Sequence, residues 1–256
     1  ASSSRRIRPD FVASANVIKG LLLLLTAGKF GKLLLSSGSM LLSVAVYGWM
    51  FGWPYAVGIV ALLFAHEMGH YLAARSKGLE VGLPTFIPFV GAWVALKQMP
   101  RDAETEAYIG LAGPLIGSLA ALGVYWIARD QHSPWLYAVA YAGFMLNLFN
   151  LIPLSPFDGG RITAVLSPRI WLLGVPMLIA LFFHRPSPLL ILMAVLAAPQ
   201  VMKALRHDST TEEAKAYYGS ASAETRFTYA VLYLGLAAFL ALMCDQLHRS
   251  LPRASF

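Results

Sequence analysis

Long apolar runs, parted by short polar or proline-containing breaks, dominate this chain. They fall at 33–51, 53–74, 108–128, 135–155, 170–183, 187–203 and 227–245. About 20 consecutive apolar residues cross a hydrocarbon core of about 30 Å as a helix. The runs at 170–183 and 187–203 fall short of that length and flank His184-Arg185-Pro186-Ser187-Pro188. They form either two short spans or one re-entrant hairpin. The pattern predicts an all-α polytopic membrane protein with six or seven transmembrane helices. One segment breaks it, GLPTFIPFVGAWVAL from Gly82 to Leu96. Rich in Val, Phe and Pro and interrupted by Gly82 and Gly91, it is too short to span as a helix. A small β or re-entrant segment is predicted near 82–96. Bare backbone at membrane depth must be covered by protein or line a wet cavity.

The remaining polar stretches set the organisation. Residues 206–226, RHDSTTEEAKAYYGSASAETR, form a soluble connection with room for one helix, and residues 227–256 a C-terminal transmembrane helix and tail. Residues 1–32 read as a cytosolic tail and interfacial segment. Within them, Lys19 precedes the apolar core Leu21 to Leu25, and Lys29 and Lys32 follow it. No small-residue cleavage site comes next, so 11–28 fit an interfacial helix or shallow anchor better than a cleaved signal. The first residue is Ala1 rather than Met, as expected of a processed or trimmed N-terminus. Residues 1–256 contain no internal repeat and leave no room for an added soluble domain.

Composition agrees. Hydrophobic residues make up 57% and charged ones 13%, with a mean hydropathy of +0.61. Soluble domains carry about 25% charged residues. The net charge of +7 lies between apolar spans, so it speaks for membrane orientation and against nucleic acid. With the N-terminus in the cytosol, 16 of the 20 Lys and Arg residues fall on the cytosolic side. Only Arg129, Arg185, Arg249 and Arg253 fall on the other side. That is the positive-inside bias, so a multi-pass protein with a cytosolic N-terminus is expected. A single cysteine, Cys244, excludes an internal disulfide and a Cys-rich zinc site, and reads as a small buried hydrophobe. Neither Asn16, Asn147 nor Asn150 has Ser or Thr two positions on. Lack of glycosylation acceptors and compact size point to a bacterial plasma membrane.

Within the second run lies ALLFAHEMGHYLAAR. His66 and His70 stand four residues apart and so project from one helix face, one turn apart. Two imidazoles at that spacing can bind one zinc ion, and Glu67 beside the first can accept a proton from a zinc-activated water. In a soluble helix so short a pattern arises by chance. In a bilayer each charged side chain costs about 2.5–3.5 kcal/mol, so two histidines and a glutamate need a compensating role. A catalytic zinc takes three protein ligands. His66 lies roughly 13 Å of helix rise before the cytosolic end of its span at Arg75. The fourth span runs the same way and ends in NLFNLIPLSPFDGGRI, which brings Asp158 to that side in apolar surroundings. Two glycines after it allow a tight backbone turn. The plainer alternative is that Asp158 caps a helix beginning near Arg161. Asp102, Glu104 and Glu106 face the same side as fallback ligands, in a charged loop that suits solvent better.

HEMGH on one span, followed by NLIPLSPFDGG closing another, resembles the site-2 protease family of intramembrane zinc metalloproteases. The matching runs from about 33 to 165, roughly half the chain. The resemblance implies that His66, His70 and Asp158 hold one Zn2+ per chain, with Glu67 as the catalytic base. Asn150, matching the asparagine of the second motif, is implied as a catalytic residue that contacts substrate backbone or the developing oxyanion. Ser155 stands where many members have proline, and Phe157 where many have leucine; neither removes a ligand. AGPLIGS, Ala112 to Ser118, and the Gly82–Leu96 segment also look like family features. By that likeness the latter offers a strand edge to an extended substrate. Residues 33–205 then form an intramembrane metalloprotease core, without the PDZ insertion or C-terminal CBS pair that many members add. Expected partners are transmembrane protein substrates and the lipid bilayer, and the expected role is regulated intramembrane proteolysis.

Other marked residues have plainer explanations. His132, His184, His207 and His248 fall at loop or span ends. Gly113-x-x-x-Gly117 reads as a close helix-packing contact. Asn147, one turn before Asn150, could share its role or bond between helices. Trp49, Trp53, Trp126 and Trp135 fit an interfacial aromatic belt. A membrane metal-ion transporter is the competing class, but it needs polar groups on several spans, and those at 33–51, 108–128 and 227–245 carry no internal charge. A catalytically inactive membrane-protein binding homologue has no need of Glu67.

Overall fold

The computed structural model describes residues 29–250. Helix α1 is Lys29–Phe51 and α2 is Trp53–Ser76; strands β1 (Thr85–Ile87) and β2 (Gly91–Trp93) follow. Then come α3 (Ala103–Asp130), α4 (Pro134–Asn150), α5 (Asp158–Ala164) and a 3-10 turn at Pro168–Leu173. The chain continues through α6 (Gly174–His184), α7 (Pro188–Leu205), α8 (Glu212–Tyr218) and α9 (Ala223–Ser250). Five of these, α1, α2, α3, α7 and α9, are long and apolar enough to cross a membrane. The protein is an all-α polytopic integral membrane protein. The expected interfacial segment at 11–28 lies outside the described residues.

The apolar runs become helices with two informative departures. The fourth run stops being helical at Asn150 instead of reaching 155. Pro153 and Pro156 explain this, since each removes a backbone donor and biases the residue before it away from the helical region. Residues 151–157 therefore form turns that end at α5. The fifth run splits between Leu173 and Gly174, into the 3-10 turn that starts at Pro168 and the 11-residue α6. At about 1.5 Å per residue, α6 reaches only about half of a bilayer.

Helices α2 and α3 form the centre. They pack most extensively on each other, with α4 against α3 and α1 against α2. Half of the spanning window is buried in α2 and in α3, against 11% in α1 and 17% in α9. A helix apolar on all sides is suited to either setting. The side chains of Phe144, Ile109, Leu154 and Ile162 are fully enclosed in the core.

The segment at 82–96 is an antiparallel hairpin. Thr85 pairs with Trp93, Phe86 with Ala92 and Ile87 with Gly91, and Val81 bridges to Leu96. Its turn uses two left-handed residues, Phe89 at φ 66° and Gly91 at φ 123°. Helix α1 satisfies three more of its backbone groups. Ser36 Oγ donates to the Pro84 carbonyl at 2.5 Å, Phe86 N–H to Ser39 Oγ at 3.1 Å, and Phe89 N–H to Tyr47 Oη at 2.8 Å. Covering by protein is what exposed peptide groups at membrane depth require.

Candidate metal centre

The buried face of α2 carries His66, Glu67, Gly69 and His70. Asp158, 92 residues after His66, meets the two histidines. Its Oδ2 lies 3.1 Å from His66 Nε2 and 3.2 Å from His70 Nε2, and the two Nε2 atoms are 3.2 Å apart. All three side chains are buried.

The outer ring nitrogens fix what the inner ones can be. His66 Nδ1 lies 2.8 Å from Asn147 Oδ1, whose own Nδ2 donates to the Gly143 carbonyl at 2.8 Å. His70 Nδ1 lies 2.7 Å from the Ile109 carbonyl. A carbonyl can only accept, so both Nδ1 atoms carry hydrogens. In the neutral rings both Nε2 atoms then present lone pairs. Two nitrogen lone pairs and a carboxylate oxygen thus converge within hydrogen-bonding distance of one another. A cation is what such an arrangement accommodates. A tetrahedral ion with bonds of about 2.0–2.2 Å holds its ligand atoms roughly 3.3–3.6 Å apart, close to the separations found. The donor set fits zinc, and partners on the outer nitrogens orient ligating imidazoles as metal sites require.

Close approach of the helices makes room for these groups. A Cβ on Gly69 would lie 2.4 Å from the Ala112 carbonyl oxygen, so α2 and α3 meet backbone to backbone. A Cβ on Gly113 would lie 2.2 Å from His70 Nε2, and one on Gly117 would lie 2.4 Å from Asn147 Oδ1. The Gly113-x-x-x-Gly117 pair expected to serve helix packing therefore also seats one candidate ligand and the partner of another.

Asp158 is the first residue of α5, which starts three residues earlier than the capping alternative supposed. Among the described residues no backbone N–H is bonded to its carboxylate, whose hydrogen-bonding contacts are to the histidines. The glycines after it serve proximity rather than a left-handed turn. Both lie within α5, and a Cβ on Gly159 would stand 2.3 Å from the carbonyl oxygens of Leu151 and Ile152.

A cavity of about 760 Å³ opens on this cluster. His66, Glu67, His70, Asp158, Asn150 and Arg161 supply its polar lining, and Val90 to Val94 of the hairpin form one wall. Glu67 is buried, whereas Asn150 is half-buried at the last turn of α4. Of the two asparagines, Asn147 is the one bonded to His66. One signal for it was available in the sequence: an amide in an otherwise apolar helix, one turn before Asn150.

Two of the three fallback ligands have other partners. Asp102 caps α3 by accepting from Thr105 N–H at 2.7 Å, and Glu106 accepts from the Tyr217 hydroxyl. His207 lies edge-on to Tyr218, and His248 is near Tyr141. Among the described residues only His66, His70 and Asp158 form a group able to hold a metal ion.

Comparison with known proteins adds an independent line. Residues 54–133 match peptidase family M50, a stretch that includes His66, Glu67 and His70 and ends before Asn150 and Asp158. The zinc metalloprotease MJ0392 of Methanocaldococcus jannaschii is 33% identical over 112 residues, 41% of this chain and 32% of that protein. The putative zinc metalloprotease Rip3 of Mycobacterium tuberculosis is 33% identical over 127 residues, covering 46% of this chain and 32% of the relative. A putative zinc metalloprotease of Synechocystis, sll0528, is 32% identical over 132 residues, covering 48% and 33%. The chain thus spans about a third of the length of these relatives. By this match and these relatives, the chain is similar to peptidase family M50 over the part that carries His66, Glu67 and His70.

Proposed function

We propose that this protein is a zinc endopeptidase that hydrolyses peptide bonds of transmembrane substrates in or near the bilayer, for regulated proteolysis. The observation that carries the reading is the meeting of three lone-pair donors, His66 Nε2, His70 Nε2 and Asp158 Oδ2, on the wall of a largely apolar cavity beside a buried carboxylate. His66, His70 and Asp158 hold one Zn2+ per chain. When bound, zinc acidifies a water toward neutrality and polarises a carbonyl. Glu67 accepts the proton of the attacking water and passes it to the leaving amine. The Asn150 amide donates to the carbonyl oxygen as charge builds there. Asn147 holds His66 in the tautomer that presents Nε2 inward.

A helical peptide is a poor substrate because its carbonyls are already bonded. The outer edge of β2 borders the cavity and can take up an extended strand, leaving the scissile carbonyl free. Residues 33–205 form the proteolytic core, entered from a cytosolic N-terminus in a bacterial plasma membrane. A family match, a buried general base and histidines clustered rather than strung along a pathway favour this over metal transport.

The test is cleavage of a panel of single-span membrane substrates by purified protein, wild type beside Glu67→Gln, with zinc measured on both. Cleavage by wild type, a fall of about 10²–10⁴ or more in Glu67→Gln, and equal zinc on both support the reading. Equal cleavage by both overturns the role of Glu67.

A further inference from the structure

Asp158 uses one carboxylate oxygen toward the histidines; what holds the other leads away from the cavity to the connection between α7 and α9. Arg161, one turn along α5, places Nη1 3.9 Å from Asp158 Oδ1, and its Nε lies 3.9 Å from Glu106 Oε1 on α3. The other Glu106 oxygen accepts a hydrogen bond from the Tyr217 hydroxyl on α8. Burial and the neighbouring Glu106 push the Tyr217 phenol up from its usual range, so it remains a donor. Four side chains on three elements thus form one line from the connection to the carboxylate.

A second set of contacts docks α8 independently. The Arg226 guanidinium donates to the Leu166 carbonyl at 2.6 Å, just beyond the end of α5, and to the Tyr218 carbonyl at 2.5 Å. Tyr218 and Ala221 are buried against the main core. An exposed linker has no need of either the buried tyrosine or a guanidinium spent on backbone carbonyls. Arg161 is only a quarter exposed, and its Nη2 is buried without a hydrogen-bond partner among the described residues. Such an atom is costly unless the position of the guanidinium is itself required.

We propose that Tyr217, Glu106 and Arg161 are positioning residues that brace Asp158 from α8, so that the α7–α9 connection is a strut of the metal centre. This rests on the zinc reading above. The guanidinium draws Oδ1 aside and leaves Oδ2 to face the histidines; Glu106 holds the guanidinium; Tyr217 holds Glu106. Loss of any link lets the carboxylate rotate about its own axis without removing a ligand. Outer partners of metal ligands act in this way, and their loss weakens metal binding or activity by about 10–100-fold.

The experiment measures zinc affinity of the full-length purified protein by chelator competition, and records the visible spectrum of the cobalt-loaded form. Arg161→Met is expected to loosen zinc by about tenfold or more and to shift the cobalt bands, and Arg161→Lys to recover part of both. Tyr217→Phe, which deletes only a hydroxyl, is expected to cause a smaller loss of the same kind. Combined with Glu106→Gln it is expected to add nothing, because both break one line. Lys215→Ala, which removes an exposed ion pair on the same helix, is expected to leave affinity and spectrum unchanged. Wild-type affinity and spectrum in both Arg161→Met and Tyr217→Phe overturn the proposal. So does a loss of thermal stability with an unchanged cobalt spectrum, since that marks a merely structural contact. A wild type that takes up no zinc overturns the site reading and the strut together, whereas zinc bound normally by every variant overturns the strut alone.

Discussion

The inner helices α2 and α3 and the outer helices α1 and α9 are all apolar enough to cross a membrane, yet they are built for different neighbours. The outer pair is mostly exposed, with Leu41, Leu42, Val231 and Leu234 turned outward. Gly38 in α1 and Gly235 in α9 have nothing within 4 Å of where a Cβ would stand. On the inner pair, Gly69, Gly113 and Gly117 each leave space that another group fills, and the buried polar side chains include His66, Glu67 and His70. Lipid is as apolar as leucine, so burial from water does not separate the two classes. What separates them is close packing and the need to satisfy polar groups. A glycine therefore means one thing at a helix contact, as at Gly69 and also at Gly48 of α1, and another on an open face, as at Gly38 and also at Gly123 of α3.

The comparison can be tested from the largest effect to the smallest. Phe144→Ala in the enclosed core is expected to cost about 3–5 kcal/mol, toward the lower end because lipid already solvates apolar groups, as read by unfolding in detergent or bicelles. Asn147→Leu keeps the branched skeleton of asparagine but removes the acceptor on His66 Nδ1. Zinc affinity is expected to fall by about 10–100-fold. Gly113→Ala drives a methyl group into the His70 ring and is expected to cost about 1–3 kcal/mol and to weaken zinc binding with it. The same change at Gly38, on the open face of α1, is expected to be neutral or stabilising by up to about 1 kcal/mol. Equal effects at Gly113 and Gly38 would break the distinction between the two classes of helix.

Much of this could be read in the sequence, and the unread part has a common cause. Apolar run length located the five helices able to cross a membrane to within about five residues at each end, because the bilayer sets length and hydropathy directly, whereas the runs at 135–155 and 170–183 gave shorter helices. A β or re-entrant break at 82–96 was legible from Gly82, Gly91 and the β-branched and aromatic letters between them, and the structure resolves it as a hairpin. His66, Glu67, His70 and Asp158 stood out because ionisable groups are expensive in apolar surroundings. What could not be read was rotation and reach. Which of Asn147 and Asn150 turns toward His66 depends on the roll of α4 against α2, and sequence spacing leaves that open. The end of α4 at Asn150 was missed because the letters from 151 to 155 remain apolar while two prolines undo the helix. Arg161 was counted only as a charge that orients the chain, and Glu106 as a spare ligand. Their pairing with each other and with Tyr217, 111 residues after Glu106, is a product of packing alone.

The central claim is that His66, His70 and Asp158 bind one metal ion together. The most direct measurement is the metal content of the purified protein by elemental analysis, wild type beside His70→Ala and Asp158→Ala, with each variant checked for a native-like melting transition. About one zinc per wild-type chain and little or none in either folded variant is the result predicted. Zinc retained at the wild-type level by both variants, or absent from folded wild type supplied with zinc, would contradict it.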